Sequence, residues 1–277
     1  MYTYDSFCFT RDQGSRMNFL MSVLCVVAHP DDETVFCGGT LALLADQGAD
    51  IHLLSLTRGE GGEAGEPPLC SRAELGTVRE REMRCAAEKL GVRTVEFLGY
   101  VDPDVGTDNT LSAPAVDRET LVEQLIVVMR RRSPRIVLTH GVNGEYGHPA
   151  HCLTHHAVRE AARRLEKPPA VYSFSAWYPD HPYSRLANVD DRADFLVAVT
   201  SRLEAKEAAA LCHATQHALF VRRRSQLAGH PVSVREVLLT TEAFRRVPVT
   251  EGVPPEKPGP LELCLGPEYC QPLALSD

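Results

Sequence analysis

A cysteine framework is missing from this chain. Nine cysteines stand at positions 8, 25, 37, 70, 85, 152, 212, 264 and 270, an odd number with no Cys-x-x-Cys pair. Several fall within apolar segments, which predicts reduced core thiols in a cytoplasmic protein. Also missing is any apolar run approaching a membrane span. Asp5, Arg11, Asp12 and Arg16 interrupt a signal-like stretch at the start. Residues 1–20 therefore read as a loosely ordered leader, with Met17 or Met21 as alternative starts, and no membrane partner is expected. A basic face is lacking too. The formal net charge of -8 argues against the electrostatic grip that a nucleic-acid partner requires. Arg130-Arg131-Arg132 reads as a helix end, where cations meet the helix dipole, and Arg222-Arg223-Arg224 has no aromatic interleaving. No Gly-x-Gly-x-x-Gly follows the first apolar run, which speaks against a dinucleotide-binding loop; Gly38-Gly39 comes too late and is too short.

What is present suits a globular domain. A chain of 277 residues, 44% hydrophobic and 24% charged, can bury a sizeable core as one principal domain over 21–250. The valine-rich run from 22 to 28 predicts a strand buried on both faces. A helix is expected over 40–47, a strand over 51–57, and a glycine- and glutamate-rich loop over 58–70. Helix 73–90 stops at Gly91, and strand 94–98 follows. After a long acidic loop to Pro114, helix 116–132, strand 135–139, helix 149–166 and strand 170–175 continue the alternation. Such alternation predicts an α/β fold: a Rossmann-like, mostly parallel sheet with helices on both faces. Beyond 176 the pattern loosens into a smaller irregular C-terminal part, with a strand near 195–199 and a helix near 202–213. Prolines 254, 255, 258 and 260 make 251–277 read as an extended tail.

Two histidine clusters follow two of these strands. Ala28-His29-Pro30-Asp31-Asp32-Glu33 ends the first strand, and Gly147-His148-Pro149-Ala150-His151 comes shortly after the fourth. Ligand crevices in open parallel sheets lie outside the carboxyl ends of the strands, so the fold brings both clusters together. Two neutral imidazoles and one carboxylate form a catalytic zinc set with one open position, which makes His29, Asp32 and His151 the candidate ligands. The same donors suit Fe2+. Neighbours at a strand end point different ways, leaving Asp31 free as the base, while His148 becomes the candidate oxyanion partner and acid. His155, one turn further along the helix, is the rival ligand. Glu33 receives no role from the sequence.

These residues resemble the LmbE/PIG-L family of zinc-dependent N-acetylglucosaminyl de-N-acetylases, whose hallmarks are Ala-His-Pro-Asp-Asp-Glu and a later His-x-x-His. Further agreement lies in Thr57-Arg58-Gly59-Glu60 with Gly61-Gly62-Glu63, in Arg79-Glu80, in Leu98-Gly99-Tyr100 leading to Asp102, in Tyr146-Gly147-His148, and in His213-Ala214-Thr215-Gln216. The resemblance implies the same zinc ligands, Asp31 as base and His148 as acid. It also implies that Arg79 and Asp102 contact the sugar and that Tyr146 helps bind the tetrahedral intermediate; Arg72 and Arg58 are alternatives to Arg79. One departure stands out: Ala150 occupies a place where members often carry an aspartate that would raise the pKa of His148.

The expected reaction is removal of acetyl from a small-molecule N-acetylated amino sugar by zinc-activated water. The alternatives are an amidase acting on a larger N-acyl or thiol-conjugate substrate, and a metal-dependent sugar-binding protein without turnover. A free carboxylate beside the ligands speaks against the last. The loops at 58–71, 99–114 and 177–190 are placed to choose the aglycone, and a homo-oligomer is compatible with a chain of this kind.

Overall fold

A computed structural model describes residues 21–273. The expected leader over 1–20 and the last four residues of the expected tail lie outside the described residues. In chain order the elements are β1 (Ser22–Val27), α1 (Asp32–Asp46), β2 (Asp50–Thr57), α2 (Arg72–Lys89), β3 (Thr94–Tyr100), α3 (Arg118–Arg132), β4 (Ile136–Thr139), the short α4 (Gly144–Gly147), α5 (Pro149–Arg163), β5 (Ala170–Phe174), β6 (Ala176–Trp177), β7 (Asn188–Arg192), β8 (Phe195–Ala198), α6 (Leu203–Cys212), α7 (His217–Ala228), α8 (Val234–Val237), β9 (Thr241–Val247), α9 (Pro260–Leu265) and β10 (Cys270–Pro272). Among the described residues no helix is long and apolar enough to cross a membrane.

Eight strands form one sheet in the order β10-β8-β9-β5-β4-β1-β2-β3. The five from β3 to β5 pair in parallel, and their order places the topological switch between β1 and β4. Strand β1 explains why the sequence reads as continuously apolar there. Val23, Cys25 and Val27 pack into one core with α1 and α2, and Leu24 and Val26 into another with α3 and α5. A strand with water on neither side needs no polar alternation. Local signals set the helix starts: Ser71 and Glu74 form a reciprocal cap on α2, and Asp117 accepts from Thr120 N at the start of α3.

The structure departs from the sequence expectation in four places. Helix α1 starts at Asp32, eight residues before the expected Thr40, and kinks at Cys37. The glycines that suggested a break serve packing, since a Cβ on Gly39 would stand 2.4 Å from Val199 Cβ. The donors freed by the kink, Gly39 N and Thr40 N, are taken by Glu242. Strand β9, unread in the sequence, lies between β5 and β8. Its apolar pattern is broken by buried ions that have partners: Glu242 binds Lys206, and Arg246 binds Glu262. The described part of the expected tail is ordered against the main body. Leu261 and Leu265 are buried in the first core, and β10 pairs with β8, because burying those apolar residues outweighs the proline signal. Finally, a disulfide joins Cys85 on α2 to Cys212 on α6 across 127 residues, in place of two reduced core thiols.

Candidate metal centre

The turn after β1 is shaped by its own backbone bonds. His29 N donates to Asp32 Oδ2 at 2.9 Å, and Asp31 adopts the left-handed region at φ 105°, which is rare for a residue with a Cβ. That reversal separates neighbouring carboxylates. Asp32 turns inward beside His29, while Asp31 faces Arg79.

Three donor groups converge. His29 Nδ1 lies 3.2 Å from His151 Nε2 and 3.4 Å from Asp32 Oδ2, and His151 Nε2 lies 3.4 Å from Asp32 Oδ1. A tetrahedral ion with bonds of about 2.1 Å separates its ligand atoms by about 3.4 Å; the two imidazole nitrogens and the two Asp32 oxygens approach that spacing, and among the described residues His29-His148-His151 and Asp32-His140-His151 are the groups that could hold a metal. All three side chains are buried. The expected ligands are therefore brought together, from the ends of β1 and the start of α5. The rival His155 is not among them: its Nδ1 is bound to His140 O at 2.9 Å.

Each imidazole has a carboxylate on its far nitrogen. His29 Nε2 lies 3.2 Å from Asp102 Oδ1, and His151 Nδ1 lies 2.6 Å from Glu145 Oε2. Glu145 thereby fixes the tautomer of His151 and aims its ligating nitrogen, whereas His29 Nε2 meets Asp102 as a close ionic contact without hydrogen-bond geometry. Asp102, expected at the sugar, is thus engaged behind His29, with Oδ2 accepting from Gly61 N.

Glu145 was not singled out by sequence reasoning. It is buried at φ 58°, and its carboxylate also takes His140 Nδ1 at 2.9 Å, Gly141 N at 3.0 Å and Asn188 Nδ2 at 3.0 Å. Burial opposes its charge, but His140 and His151 hold its carboxyl well below the usual range. His140 was missed as well. Its Nε2 accepts from Ala28 N at 3.0 Å and lies 3.4 Å from Asp32 Oδ2, so both its nitrogens are engaged in support of the turn. A signal existed: His140 follows β4 as His29 follows β1, at the neighbouring strand end.

His148 sits beside the donors, its ring stacked on His151 with centroids 4.6 Å apart. Its Nδ1 accepts from Ala150 N at 3.2 Å, which places the proton of the neutral ring on Nε2. Burial pushes its pKa down to about 3, helped by His29 and His151, so the candidate acid is a neutral donor here. Tyr146 is 45% exposed, its ring edge-on to His148 and His151.

Arg79, expected to reach substrate, is 3% exposed and turned to the protein. Its Nη1 donates to Gly59 O, and its Nη2 to Pro30 O and to Asp31 Oδ2 at 3.3 Å. Room for it comes from the glycine-rich loop: a Cβ on Gly59, at φ 70°, would lie 2.3 Å from Arg79 Nη1. Of the alternatives, Arg72 donates to Gly62 O and Asp104, and Arg58 pairs with Glu60. Asp31 itself is raised to about 7, chiefly by burial and against the pull of Arg79, within the range of a base working near neutrality.

The GlcNAc-PI de-N-acetylase family, PIG-L, matches residues 24–162. A 1D-myo-inositol 2-acetamido-2-deoxy-alpha-D-glucopyranoside deacetylase from Thermobifida fusca is 36% identical over 159 residues, 53% of this chain and 56% of that protein. The chain thus spans little more than half of that relative. The deacetylase of the same name from Geodermatophilus obscurus is 34% identical over 241 residues, with 70% of this chain and 82% of that protein covered. The solved 4-carboxy-2-hydroxymuconate hydratase of Pseudomonas putida KT2440 has a TM-score of 0.56 and 27% identity, covering 85% of this chain and 100% of that one. The matched stretch 24–162 contains the whole donor set and Glu145; Asn188 and His213 lie beyond it.

Proposed function

The chain belongs to the PIG-L family, and from that premise we propose that it is a metal-dependent hydrolase that removes acetyl from an N-acetylglucosamine-type substrate. One observation carries this reading: three donor groups lie 3.2 to 3.4 Å apart, beside an aspartate that none of them engages. His29, Asp32 and His151 would hold the ion. Zinc, when bound, lowers the pKa of a water toward ~7 and polarises the acyl oxygen. Asp31, fixed by Arg79, takes the proton that the attacking water loses and passes it to the departing amine. His148 gives its Nε2–H to the oxygen on which charge develops, and a neutral donor suffices for that task. Tyr146, at the mouth, is the further donor to the tetrahedral intermediate. Asp102 and Glu145 keep the two ligating rings in place.

The substrate class follows from the relatives, whose names specify an N-acetylated glucosaminyl inositol. The loops over 58–71, 99–114 and 177–190 would select the aglycone. A second reading is favoured by the hydratase that shares the fold: adding water to an unsaturated acid also calls for a base, a task that Asp31 could serve. The test is metal analysis together with amine release from a panel of N-acetylglucosaminyl compounds. Bound zinc with amine release that is lost in Asp31→Ala supports deacetylation. Bound zinc without release, but with loss of enoate absorbance on an unsaturated dicarboxylic acid, supports the hydratase reading instead.

A further inference from the structure

The strained turn at Asp31 is held from a part of the chain far outside the matched family stretch. Asp31 N donates to Glu33 Oε2 at 3.0 Å. Glu33 Oε1 in turn receives His213 Nε2 at 2.9 Å, across 180 residues, and Thr34 Oγ1 at 2.5 Å. Glu33 and His213 are both fully buried. Neither reaches the donor set, and neither faces the mouth. A carboxylate this deep, bound to a histidine from another element, is costly unless it fixes something, and what it contacts is the backbone N–H of Asp31.

His213 is itself anchored. It ends α6 directly after Cys212, whose disulfide ties α6 to α2. Two residues on, Thr215 gives its N–H and its hydroxyl to Glu82 of α2 at 2.9 and 2.7 Å. Helix α2 also carries Arg79, which holds the Asp31 side chain. One rigid assembly of α2 and α6 thus grips both the backbone and the carboxylate of that aspartate.

We propose that Glu33 and His213 are positioning residues for catalysis, a buried pair that fixes the left-handed backbone of Asp31 and so aims its carboxylate. The inference rests on the reading of Asp31 as the base. A carboxylate moved by about 1 Å can lose up to 100-fold in rate without any loss of binding. A pair that merely supported the fold would weaken metal retention and stability together.

The experiment uses the zinc-loaded full chain with 1D-myo-inositol 2-acetamido-2-deoxy-alpha-D-glucopyranoside as probe, and reads amine release, zinc content and the amide spectrum of the metal-stripped protein. Glu33→Gln and His213→Leu should each lower kcat about 10- to 100-fold, with KM within about twofold and zinc content unchanged. His213→Gln, whose amide still donates to Glu33, should recover most of the rate. In an Asp31→Asn background, Glu33→Gln should add no further loss, the non-additivity of residues acting as one unit. In the metal-stripped protein, Glu33→Gln should move the Asp31 amide proton upfield, a readout that needs no turnover. Unchanged kcat in both single variants, a fall matched by lost zinc, or a further loss in the Asp31→Asn background would each overturn the proposal. Full activity of Asp31→Asn itself would instead remove the reading on which it rests.

Discussion

Replacing Glu145 by Gln should weaken the metal site without touching a ligand. The carboxylate serves four donors: Oε2 takes His151 Nδ1 at 2.6 Å and His140 Nδ1 at 2.9 Å, and Oε1 takes Gly141 N and Asn188 Nδ2 at 3.0 Å each. A glutamine offers one oxygen, so its NH2 must face the other pair of donors. The bond to His151 is charge-assisted and of a kind worth about 1.5–3 kcal/mol. Losing much of it lets the ring turn, and losses of outer partners of this kind lower metal affinity about 10- to 100-fold. Those fold-changes correspond to about 1.4–2.8 kcal/mol, the same range. Alanine is the wrong probe, because four buried donors left bare at about 1–3 kcal/mol each approach the whole stability of a domain, about 5–15 kcal/mol. The assay is competition for zinc between the metal-stripped protein and a chromophoric chelator, with a melting curve to confirm the fold. A folded Glu145→Gln that binds zinc within twofold of the parent would refute the reasoning.

Gly59→Ala should cost about 1–3 kcal/mol and lower kcat, since its Cβ would meet Arg79 Nη1 at 2.3 Å; unchanged melting and unchanged kcat would contradict the packing argument. Lys206→Ala leaves Glu242 buried without its ammonium partner at 2.6 Å, and breaking such a pair costs about 3–5 kcal/mol. The urea midpoint reports this, and a shift worth under about 1 kcal/mol would show that the pair is dispensable. Ala150→Asp places a carboxylate beside His148, whose protonated form it favours; because the neutral ring is the working donor, the acidic limb of the pH–rate profile should move up, and superimposable profiles would sink that account.

The legible part of the molecule is the part whose signals are local. His29 and Asp32 could be read because they directly follow the end of β1, and His151 because it opens the helix after β4, the neighbouring strand. The five parallel strands were readable because β1 and its neighbours are apolar on both faces. Glu145 was not, although it lies three residues before His148, because its role is defined by Asn188 and by two histidines that only the fold assembles. Arg79 and Asp102, expected at the sugar, turn toward the protein instead, behind the base and a ligand, a direction that residue type does not encode. Strand β9 was hidden because Glu242 and Arg246, which look like surface charges, are buried with partners from distant segments. The Cys85–Cys212 bridge closes a loop too long for spacing to suggest it.

The central claim, a single-ion hydrolase of an N-acetyl amino sugar, is tested most directly by adding zinc stepwise to metal-stripped protein while acetate and amine are measured from 1D-myo-inositol 2-acetamido-2-deoxy-alpha-D-glucopyranoside. The account predicts no release at the start, a linear rise to a plateau at one equivalent, and acetate and amine in equal amounts. Full release before any zinc is added, or one bound equivalent with no acetate formed, would contradict it.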